Sequence, residues 1–392
     1  MIFLDAAATT PVRREAIEAM WPYLTGEFGN PSSHHGLGER AAAALRQARE
    51  SVASVLGCRP GEVIFTSGGT EADNLAVKGI ALARQAEDPA RGRILISAVE
   101  HPAVQESAAY LARVHGFRVE VIPVDADGRV DPELFAAMLA APAGAAPAGE
   151  ALASVMYANN EVGSVQPVAK LAALARAAGV PFHTDAVQAA GWLPLNVTDL
   201  GVDALSISGH KIGAPKGVGA LYLRGRVPAE PVLHGGGQER GSRSGTENVA
   251  FAVALATALE LAEAERAAAA ARVAALREAF IADVLRRVPG ALLTGHRTHR
   301  LPSVASFCFP GTSGESVLLE LERNSIICSS GSACAAGSDE PSAVLTALGI
   351  AAEVAQTAVR FSFSRDISGA ELTATTDAVV DAVAALGKLQ TG

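Results

Sequence analysis

The sequence is poor in cysteine. Cys58, Cys308, Cys328 and Cys334 are the four cysteines of the chain, and no two of them form a CxxC pair. Such sparse cysteines are not expected to build a disulfide framework or a zinc site of the usual spacing. They fit a protein that works in the reducing environment of the cytoplasm.

Basic residues are in deficit, and long apolar runs are missing. Lys and Arg number 32 against 41 Asp and Glu, which gives a formal net charge of -9. Since no basic run is present, direct binding of nucleic acid is not expected. No uncharged apolar stretch is long enough to cross a bilayer, and the N-terminus, with Asp5 and no basic segment, is not typical of a secretory signal. We therefore expect a cytoplasmic protein without membrane contact.

What is present is an alternation of short apolar strands and longer helices. The predicted strands cover residues 63–65, 94–97, 119–122, 152–157, 180–183 and 204–207. This pattern predicts an α/β fold, in which a mostly parallel sheet is covered by helices and ligands bind at the carboxyl ends of the strands. A long helix over about 248–288 leads into a smaller α+β unit. We assign residues 12–255 to the large domain, and residues 1–11 and 256–392 to the small one.

A lysine at a strand end is the central feature of the sequence. Lys211 follows the strand 204–207 in a Ser-Gly-His-Lys motif, and glycines come after it. This position suits a buried amine that forms a Schiff base with a carbonyl. Asp185 ends the preceding strand, and pyridoxal phosphate requires such a pair, a lysine for its aldehyde and an acid for its ring nitrogen. The structural alternative is a surface lysine and a helix-capping aspartate.

Residues 66–74, Thr-Ser-Gly-Gly-Thr-Glu-Ala-Asp-Asn, are predicted to bind a phosphate. They lie between a strand and a helix, where glycines let backbone N–H groups approach an anion and the helix start adds its positive dipole end. Thr70 and Asp73 also resemble a capping box. Ser208 and His210 would complete the phosphate site, whereas the alternative is a tight connection between two elements.

Four further features of the sequence are candidates for the same site. His101 follows the strand 94–97 and could stack on a cofactor, or serve as a capping or surface residue. Residues 159–163, Asn-Asn-Glu-Val-Gly, offer an amide from the same edge, or form a turn. The glycine-rich residues 233–246 contain two arginines and suit binding of a phosphate or carboxylate at an interface, or a structural crossover. Arg360 lies among apolar neighbours and needs an anionic partner, which a substrate carboxylate would provide.

A loop of small residues carries the candidate nucleophile. Residues 328–341 are rich in Ser, Gly and Ala and contain Cys328 and Cys334. A cysteine on such a loop can be both reactive and able to move, so Cys334 is the candidate. Cys328 follows two isoleucines and is expected to be packed and inert. A disulfide between the two cysteines, or a shared metal, is the alternative.

Together these motifs resemble the cysteine desulfurases of the nitrogenase and iron–sulfur-cluster assembly type. These belong to the class-V aminotransferase group of fold-type I pyridoxal-phosphate-dependent transferases. The resemblance runs nearly end to end, from the Leu-Asp-Ala-Ala-Ala-Thr-Thr-Pro segment at residues 4–11 to Ser-Ser-Gly-Ser-Ala-Cys at residues 329–334. It implies a homodimeric sulfurtransferase that takes sulfur from L-cysteine, releases L-alanine and keeps a persulfide for a protein sulfur acceptor, in iron–sulfur cluster biosynthesis or another thiolation pathway.

The resemblance also implies a role for each motif residue. Lys211, Cys334 and His101 would be catalytic. Pyridoxal 5'-phosphate would be held by Gly69, Thr70, Asn160, Asp185, Gln188, Ser208, Gly209, His210 and Lys211, together with Thr246 of the partner subunit. Asn30 and Arg360 would bind the substrate carboxylate. No resident metal is expected, although Cys334 could act as a transient iron–sulfur ligand.

Two other functions remain open at this point. Another pyridoxal-phosphate reaction, such as that of an aminotransferase, a selenocysteine lyase or a kynureninase-like lyase, would not need Cys334. A catalytically silent scaffold that binds sulfur-transfer partners is the other, but the complete set of Lys211, Asp185, His101 and Cys334 argues against it.

Overall fold

The computed structural model describes residues 1–140, 149–330 and 341–390. Its strands are β1 (Ile2–Phe3), β2 (Val63–Thr66), β3 (Arg91–Ser97), β4 (Arg118–Ile122), β5 (Gly149–Ser154), β6 (Phe182–Asp185), β7 (Ala204–Ser208), β8 (Gly219–Leu223), β9 (Leu292–Leu293), β10 (Val304–Cys308), β11 (Ile326–Ile327) and β12 (Ala358–Ser362). Its α-helices are α1 (Arg14–Thr25), α2 (Gly36–Leu56), α3 (Gly69–Asn74), α4 (Ile80–Glu87), α5 (Pro102–His115), α6 (Pro132–Ala140), α7 (Val168–Ala177), α8 (Val197–Leu200), α9 (Val249–Arg287), α10 (Gly314–Arg323), α11 (Ala343–Ala347), α12 (Ala352–Ala355) and α13 (Gly369–Gln390). A π-helical turn, Leu75–Gly79, joins α3 to α4.

Seven strands form the large sheet, in the order β2-β8-β7-β6-β5-β3-β4. β8 is antiparallel to both of its neighbours, and the other adjacent pairs are parallel. This confirms the predicted mostly parallel sheet with helices around it. Because β3, β5, β6 and β7 run in the same direction, their carboxyl ends meet at one edge, where the residues that follow them can form a common site.

The clearest differences between the predicted and the observed strands concern β5, β6 and β8. The strand predicted over 180–183 lies two residues later, at Phe182–Asp185. The strand predicted over 152–157 ends at Ser154, although the next residues stay extended and Tyr157 N–H donates to the Asp185 carbonyl. β8 was not predicted, because its short apolar run follows a Gly/Pro-rich stretch that indicates a turn. It nevertheless pairs with β7 along its whole length and with β2 over residues 219–222.

The C-terminal part of the chain builds two small sheets. β9, β10 and β12 form an antiparallel sheet, while β1 at the N-terminus pairs in parallel with β11. α9 contributes to two hydrophobic cores, with Leu255 and Leu259 in the core of the large sheet and Phe280 and Ile281 in the core around the small sheets. The domain limits at residues 11 and 255 remain a prediction.

Within the three described ranges, the helices are all too short or too polar to span a membrane.

A buried ion pair fixes the glycine-rich loop to the edge of the large sheet. Arg49 on α2 donates to both carboxylate oxygens of Glu239, at 2.6 and 2.7 Å, and both side chains are buried. Glu239 also accepts the N–H of Phe65, and Arg49 donates to the carbonyl of Val63. The carboxylate therefore has a cation and a backbone donor, as a buried charge requires.

Replacing one partner of this pair should destabilise the protein strongly. Arg49→Met leaves Glu239 buried without its cation, and we expect the free energy of unfolding to fall by about 3–5 kcal/mol. The matched control is Arg14→Met, which removes an exposed pair with Glu18 at 2.7 Å and should change that free energy by less than about 1 kcal/mol. Urea denaturation followed by circular dichroism measures both. Equal losses in the two variants would contradict the assignment.

Candidate functional site

The parallel strands bring three of the predicted residues to one edge of the sheet. Asp185 is the last residue of β6 and is buried, and its Oδ1 accepts the N–H of Val187 at 2.9 Å. Lys211 lies in the helical turn Gly209–Lys211 directly after β7. His101 follows β3 and caps α5, where its Nδ1 accepts the N–H of Ala103. The three side chains come from adjacent parts of the same edge, as predicted.

The three groups also change each other's pKa. Burial lowers the pKa of His101, and the charge of Lys211 lowers it further, whereas Asp185 raises it. Burial raises the pKa of Asp185, while the Val187 N–H and the charges of His101 and Lys211 lower it. A lysine, a carboxyl group and an imidazole thus form one electrostatic unit. It can hold a cationic ring, take up a proton and release one.

The N-terminal segment supplies the hydrogen-bond acceptors of the lysine. Lys211 Nζ donates to the carbonyls of Ala7 at 2.5 Å and Ala8 at 2.7 Å. Gln188 Nε2 donates to the same Ala7 carbonyl at 3.0 Å, so the predicted ring ligand Gln188 lies next to the amine. The sequence analysis did not assign Ala7 and Ala8 to the site, because backbone acceptors carry no side-chain signal. Their only indication was the motif at residues 4–11.

His210 fixes the same segment from the other side. Its Nδ1 lies 3.2 Å from Thr9 Oγ1, and its carbonyl accepts both the N–H and the O–H of Thr10. Burial, followed by the charges of Lys211 and Lys216, lowers the pKa of His210 to about 4. The ring is therefore neutral at neutral pH. Besides its predicted phosphate role, His210 positions the N-terminal segment.

The predicted phosphate-binding turn packs tightly against the end of β7. A Cβ atom at Gly69 would lie 2.8 Å from Val187 Cγ2 and 3.3 Å from Ser208 Cβ, so only glycine lets the start of α3 come this close. Gly209 is closely packed, because a Cβ atom there would clash with the side chains around it. Its N–H donates to the Val218 carbonyl. Gly69 and Ser208 therefore lie together, as the predicted phosphate site requires.

The predicted capping box of Thr70 and Asp73 is wrong. The N-cap of α3 is Gly68, and no side chain caps this helix. Asp73 instead points into the protein, where its Oδ1 lies 3.6 Å from His183 Nε2 and its side chain is 2% exposed. The spacing of the motif was right for a cap, but that side of the helix faces the sheet. Thr70 is exposed in the first turn of α3.

A buried polar cluster beneath Asp185 was not predicted. His183 is two residues before Asp185 on β6, on the same face of the strand. Its Nδ1 lies 2.8 Å from Ser154 Oγ and its Nε2 lies 3.0 Å from Ser206 Oγ. Burial lowers the pKa of His183 to about 3 and, together with the charge of Asp185, raises that of Asp73 well above its ordinary value. At neutral pH the imidazole is thus neutral.

Arg360 on β12 has an anionic partner within the chain. Its Nη2 lies 2.7 Å from Asp5 Oδ1, its Nη1 donates to the Asn160 carbonyl at 3.0 Å, and the side chain is buried. The sequence predicts that Arg360 needs an anionic partner, and in this structure Asp5 is that partner. The contact also places the predicted residues Asn160 and Arg360 side by side.

Of the two cysteines in the small-residue loop, the structure describes Cys328. Burial raises the pKa of Cys328 to about 12, with Asp5 raising it further and Arg360 lowering it. This agrees with the prediction that Cys328 is packed and inert. Cys334, the predicted nucleophile, lies outside the described residues.

Asn30 and Thr246 lie together in a second place. Both line an open cleft, whose apolar side is formed by Leu24 and Phe28. Asn30 Oδ1 accepts the N–H of Ser32, which closes a local turn. The structure therefore joins Asn30 with Thr246, whereas Asn160 is the asparagine next to Arg360.

The arginines of the glycine-rich loop have partners within the chain. Arg240 donates to the Val63 carbonyl at 2.7 Å, and Arg243 Nε lies 2.8 Å from Glu71 Oε1. Glu71 belongs to α3, so the second contact ties the loop to the phosphate-binding turn. Both arginines hold the loop in place, which favours the structural alternative for their side chains.

Known proteins of one family match this chain over nearly its whole length. The family model described as aminotransferase class-V matches residues 2–374. The protein named cysteine desulfurase IscS of Dictyoglomus turgidum is 43% identical over 376 residues, 96% of this chain and 93% of that protein. The IscS-like cysteine desulfurase of Mycobacterium tuberculosis is 44% identical over 385 residues, 98% of this chain and 96% of that protein. A solved structure described as a NifS-like protein has a TM-score of 0.88 and 34% identity, covering 98% of this chain and 100% of its own.

The coupling of Asp185, Lys211 and His101 predicts that two substitutions shift the pKa of His101 in opposite directions. Asp185→Asn removes the charge that raises the pKa of His101, so this pKa should fall. Lys211→Met removes the charge that lowers it, so the pKa should rise. NMR titration of the His101 ring, assigned with His101→Gln, measures both shifts. Asp199→Asn, which changes an exposed carboxyl on α8, is the control and should leave the His101 titration unchanged. Shifts of the same sign in the first two variants would contradict the arrangement.

Proposed function

This chain belongs to the class-V aminotransferase family, and on that premise we propose that it is a cysteine desulfurase, which converts L-cysteine to L-alanine and keeps the sulfur as a persulfide. The observation that carries the proposal is the convergence of Lys211, Asp185 and His101 at the carboxyl edge of the large sheet. Incubation with L-cysteine and a reductant should yield alanine and sulfide in equal amounts. A protein that forms neither product would contradict the proposal.

The family uses pyridoxal 5'-phosphate, and the residues present fit this group. Bound pyridoxal phosphate supplies an aldehyde that reacts with amines and a protonated ring that accepts an electron pair. Lys211 offers the amine and Asp185 the carboxylate for the ring nitrogen. Gly69, Thr70 and Ser208 would hold the phosphate at the start of α3, where the glycine leaves room that a Cβ would fill. His101, Gln188 and Asn160 would contact the ring.

Lys211 is assigned as the group that moves the proton at Cα of the substrate. In the structure its Nζ is held by the carbonyls of Ala7 and Ala8, which accept hydrogen bonds but cannot neutralise a charge. Deprotonated, the amine keeps these contacts by donating its remaining hydrogens. The lysine can therefore change its protonation state without leaving its position, as a general base must.

Arg360 is assigned to the substrate carboxylate. Its partner Asp5 lies 2.7 Å away, and the guanidinium presents several donors in one plane. A substrate carboxylate would share the guanidinium with Asp5, or displace it. Asn160, whose carbonyl accepts from Arg360, fixes the orientation of the guanidinium.

Cys334 is assigned as the sulfur acceptor on the basis of its motif. In the overall step, the thiolate of Cys334 forms a bond with the sulfur of L-cysteine. The carbon–sulfur bond of the substrate breaks, its electron pair stays on carbon, and a proton taken up there completes L-alanine. The products are L-alanine and a persulfide on Cys334. From there the sulfur would pass to a protein acceptor of an iron–sulfur cluster or thiolation pathway, in the cytoplasm.

A homodimer would complete the active site. Thr246, the predicted phosphate ligand of a partner subunit, lines an open cleft with Asn30 and the exposed side chains Leu24 and Phe28. Exposed apolar groups beside polar ligands are typical of an interface. We assign Thr246 to the phosphate of the partner's site. Asn30, which shares its cleft, is assigned to the same interface.

Two cysteine variants separate a desulfurase from a lyase that needs no thiol. Cys334→Ser should keep its cofactor but form no persulfide, because the accepting sulfur is gone. Cys328→Ser should keep most activity, because Cys328 is packed and holds its proton. Mass spectrometry after brief exposure to L-cysteine should find the added sulfur on the peptide of Cys334 in the wild type and in Cys328→Ser. Undiminished alanine release by Cys334→Ser would favour the lyase.

The dimer can be tested at the apolar side of the cleft. Phe28 is 67% exposed, so Phe28→Glu should fold, yet it should weaken self-association by placing a charge in the interface. We expect a shift toward monomer in sedimentation equilibrium, together with weaker retention of pyridoxal phosphate. Leu319→Glu is the control, since Leu319 is 54% exposed on α10 and outside the cleft. A fully dimeric Phe28→Glu, or a wild-type monomer that retains its cofactor, would contradict the proposal.

A further inference from the structure

Glu100 is a buried carboxyl group to which the proposed mechanism gives no role. It lies between the end of β3 and the start of α5, immediately before His101, and is 2% exposed. Its Oε1 accepts the O–H of Ser97 at 2.5 Å and the N–H of Met156 at 2.7 Å. Its backbone carbonyl accepts from Gln105 Nε2. Since Ser97 ends β3 and Met156 follows β5, one carboxyl group joins the ends of two adjacent strands.

The hydrogen bonds of Glu100 are unequal. Ser97 and Met156 both donate to Oε1. Oε2 is buried and has no hydrogen-bond partner in the described part of the chain. A carboxylate would place charge on an oxygen without a donor, which is costly in a buried site. A protonated carboxyl group fits better, because its carbonyl oxygen accepts both bonds and the other oxygen is uncharged.

The groups that face Glu100 favour the same form. Asp185 from β6 and Asp73 from α3 both interact with it unfavourably as like charges. Burial raises the pKa of Glu100 to about 8, with the Ser97 and Met156 hydrogen bonds opposing and Asp185 adding to the shift. His101, next in sequence, has its pKa lowered chiefly by burial, which disfavours a compensating positive charge.

We propose that Glu100, in its protonated form, is the positioning residue of His101, because it fixes the ends of β3 and β5 against each other and thereby holds the imidazole beside Asp185 and Lys211. The inference rests on the proposed function only in taking these three residues as the site. It adds a pH dependence to that site, because ionised Glu100 would bring a second buried negative charge next to Asp185.

The direction of this pH dependence follows from proton binding. The pKa of Glu100 in the folded protein lies above the ordinary value of 4.5, so the folded state binds this proton more tightly than the unfolded state does. The resulting stabilisation is fully present below pH 4.5 and is lost as the pH rises through about 8. Glu100→Gln keeps the shape of the neutral form and cannot ionise. Its stability relative to the wild type should therefore increase with pH.

The first experiment follows thermal unfolding of the full-length protein with its cofactor, from about pH 6 to about pH 9.5. The difference in melting temperature between Glu100→Gln and the wild type should increase by several degrees, in favour of the variant, from the lowest to the highest pH. Glu106→Gln, which changes an exposed carboxyl on α5, should run parallel to the wild type. Ser97→Ala removes a hydrogen bond that lowers the pKa of Glu100 and should shift the alkaline loss of stability to higher pH. A constant difference between Glu100→Gln and the wild type would overturn the protonated assignment.

The second experiment separates positioning from simple packing. Glu100→Ala removes both hydrogen bonds, and we expect it to weaken binding of pyridoxal phosphate about tenfold or more and to change the NMR titration of the His101 ring. Glu100→Gln should restore both properties to near the wild type. Equal behaviour of the Ala and Gln variants would overturn the proposal. Neither experiment uses L-cysteine, so an absence of desulfurase activity would be seen separately and would leave these results intact.

Discussion

The amine of Lys211 must be satisfied in a partly buried position, and the N-terminal segment does this with two backbone carbonyls. The carbonyl of Ala7 serves Lys211 and Gln188 together, while the N–H of Ala7 donates to Ser362 on β12. Asp5, two residues earlier, pairs with Arg360 on the same strand. The position of the lysine therefore depends on contacts made by the C-terminal part of the chain. A change that loosened the segment would disturb Lys211 and Arg360 at the same time.

The sequence predicts the parts of this arrangement that follow from strand order. Lys211 and Asp185 were placed correctly, because parallel strands with one direction must end at one edge, and the alternation of apolar strands and helices indicated such a sheet. His101 followed from the same argument. A phosphate-binding role for residues 66–74 was predicted from their glycines and stays a prediction, while the structure gives a steric reason for Gly69.

The remaining parts depend on contacts that local patterns do not contain. The carbonyls of Ala7 and Ala8 have no side-chain signature, and the pairing of Asp5 with Arg360 joins residues 355 positions apart. Asp73 was misinterpreted as half of a capping box, because a spacing rule does not tell which side of a short helix faces the sheet. Glu100 escaped notice for a similar reason. Its hydrogen bond from the Met156 N–H arises only when β3 and β5 are neighbours.

Asp73, Glu100 and Asp185 lie in the region beneath the candidate ring site. Their surroundings favour different charge states. Burial raises the pKa of Asp73, Glu100 and Asp185 alike. Among these three, Asp185 is the one whose pKa both His101 and Lys211 lower. The lysine and the histidine therefore favour the charged form of Asp185, while burial and the neighbouring acidic groups favour the protonated forms of Asp73 and Glu100. A pyridine nitrogen placed there would face the carboxyl group whose charged form these two neighbours favour.

The pairing of β1 with β11 also bears on how this protein is made. Ile2 and Phe3 are synthesised more than three hundred residues before their partners Ile326 and Ile327. During synthesis the large sheet can form while the first residues still lack a strand to join. Until β11 is synthesised, Leu4, fully buried in the folded protein, lacks the core that it shares with Ile326. Docking of β1 is thus a late folding event, and it makes the final placement of residues 2–4 depend on the synthesis of β11.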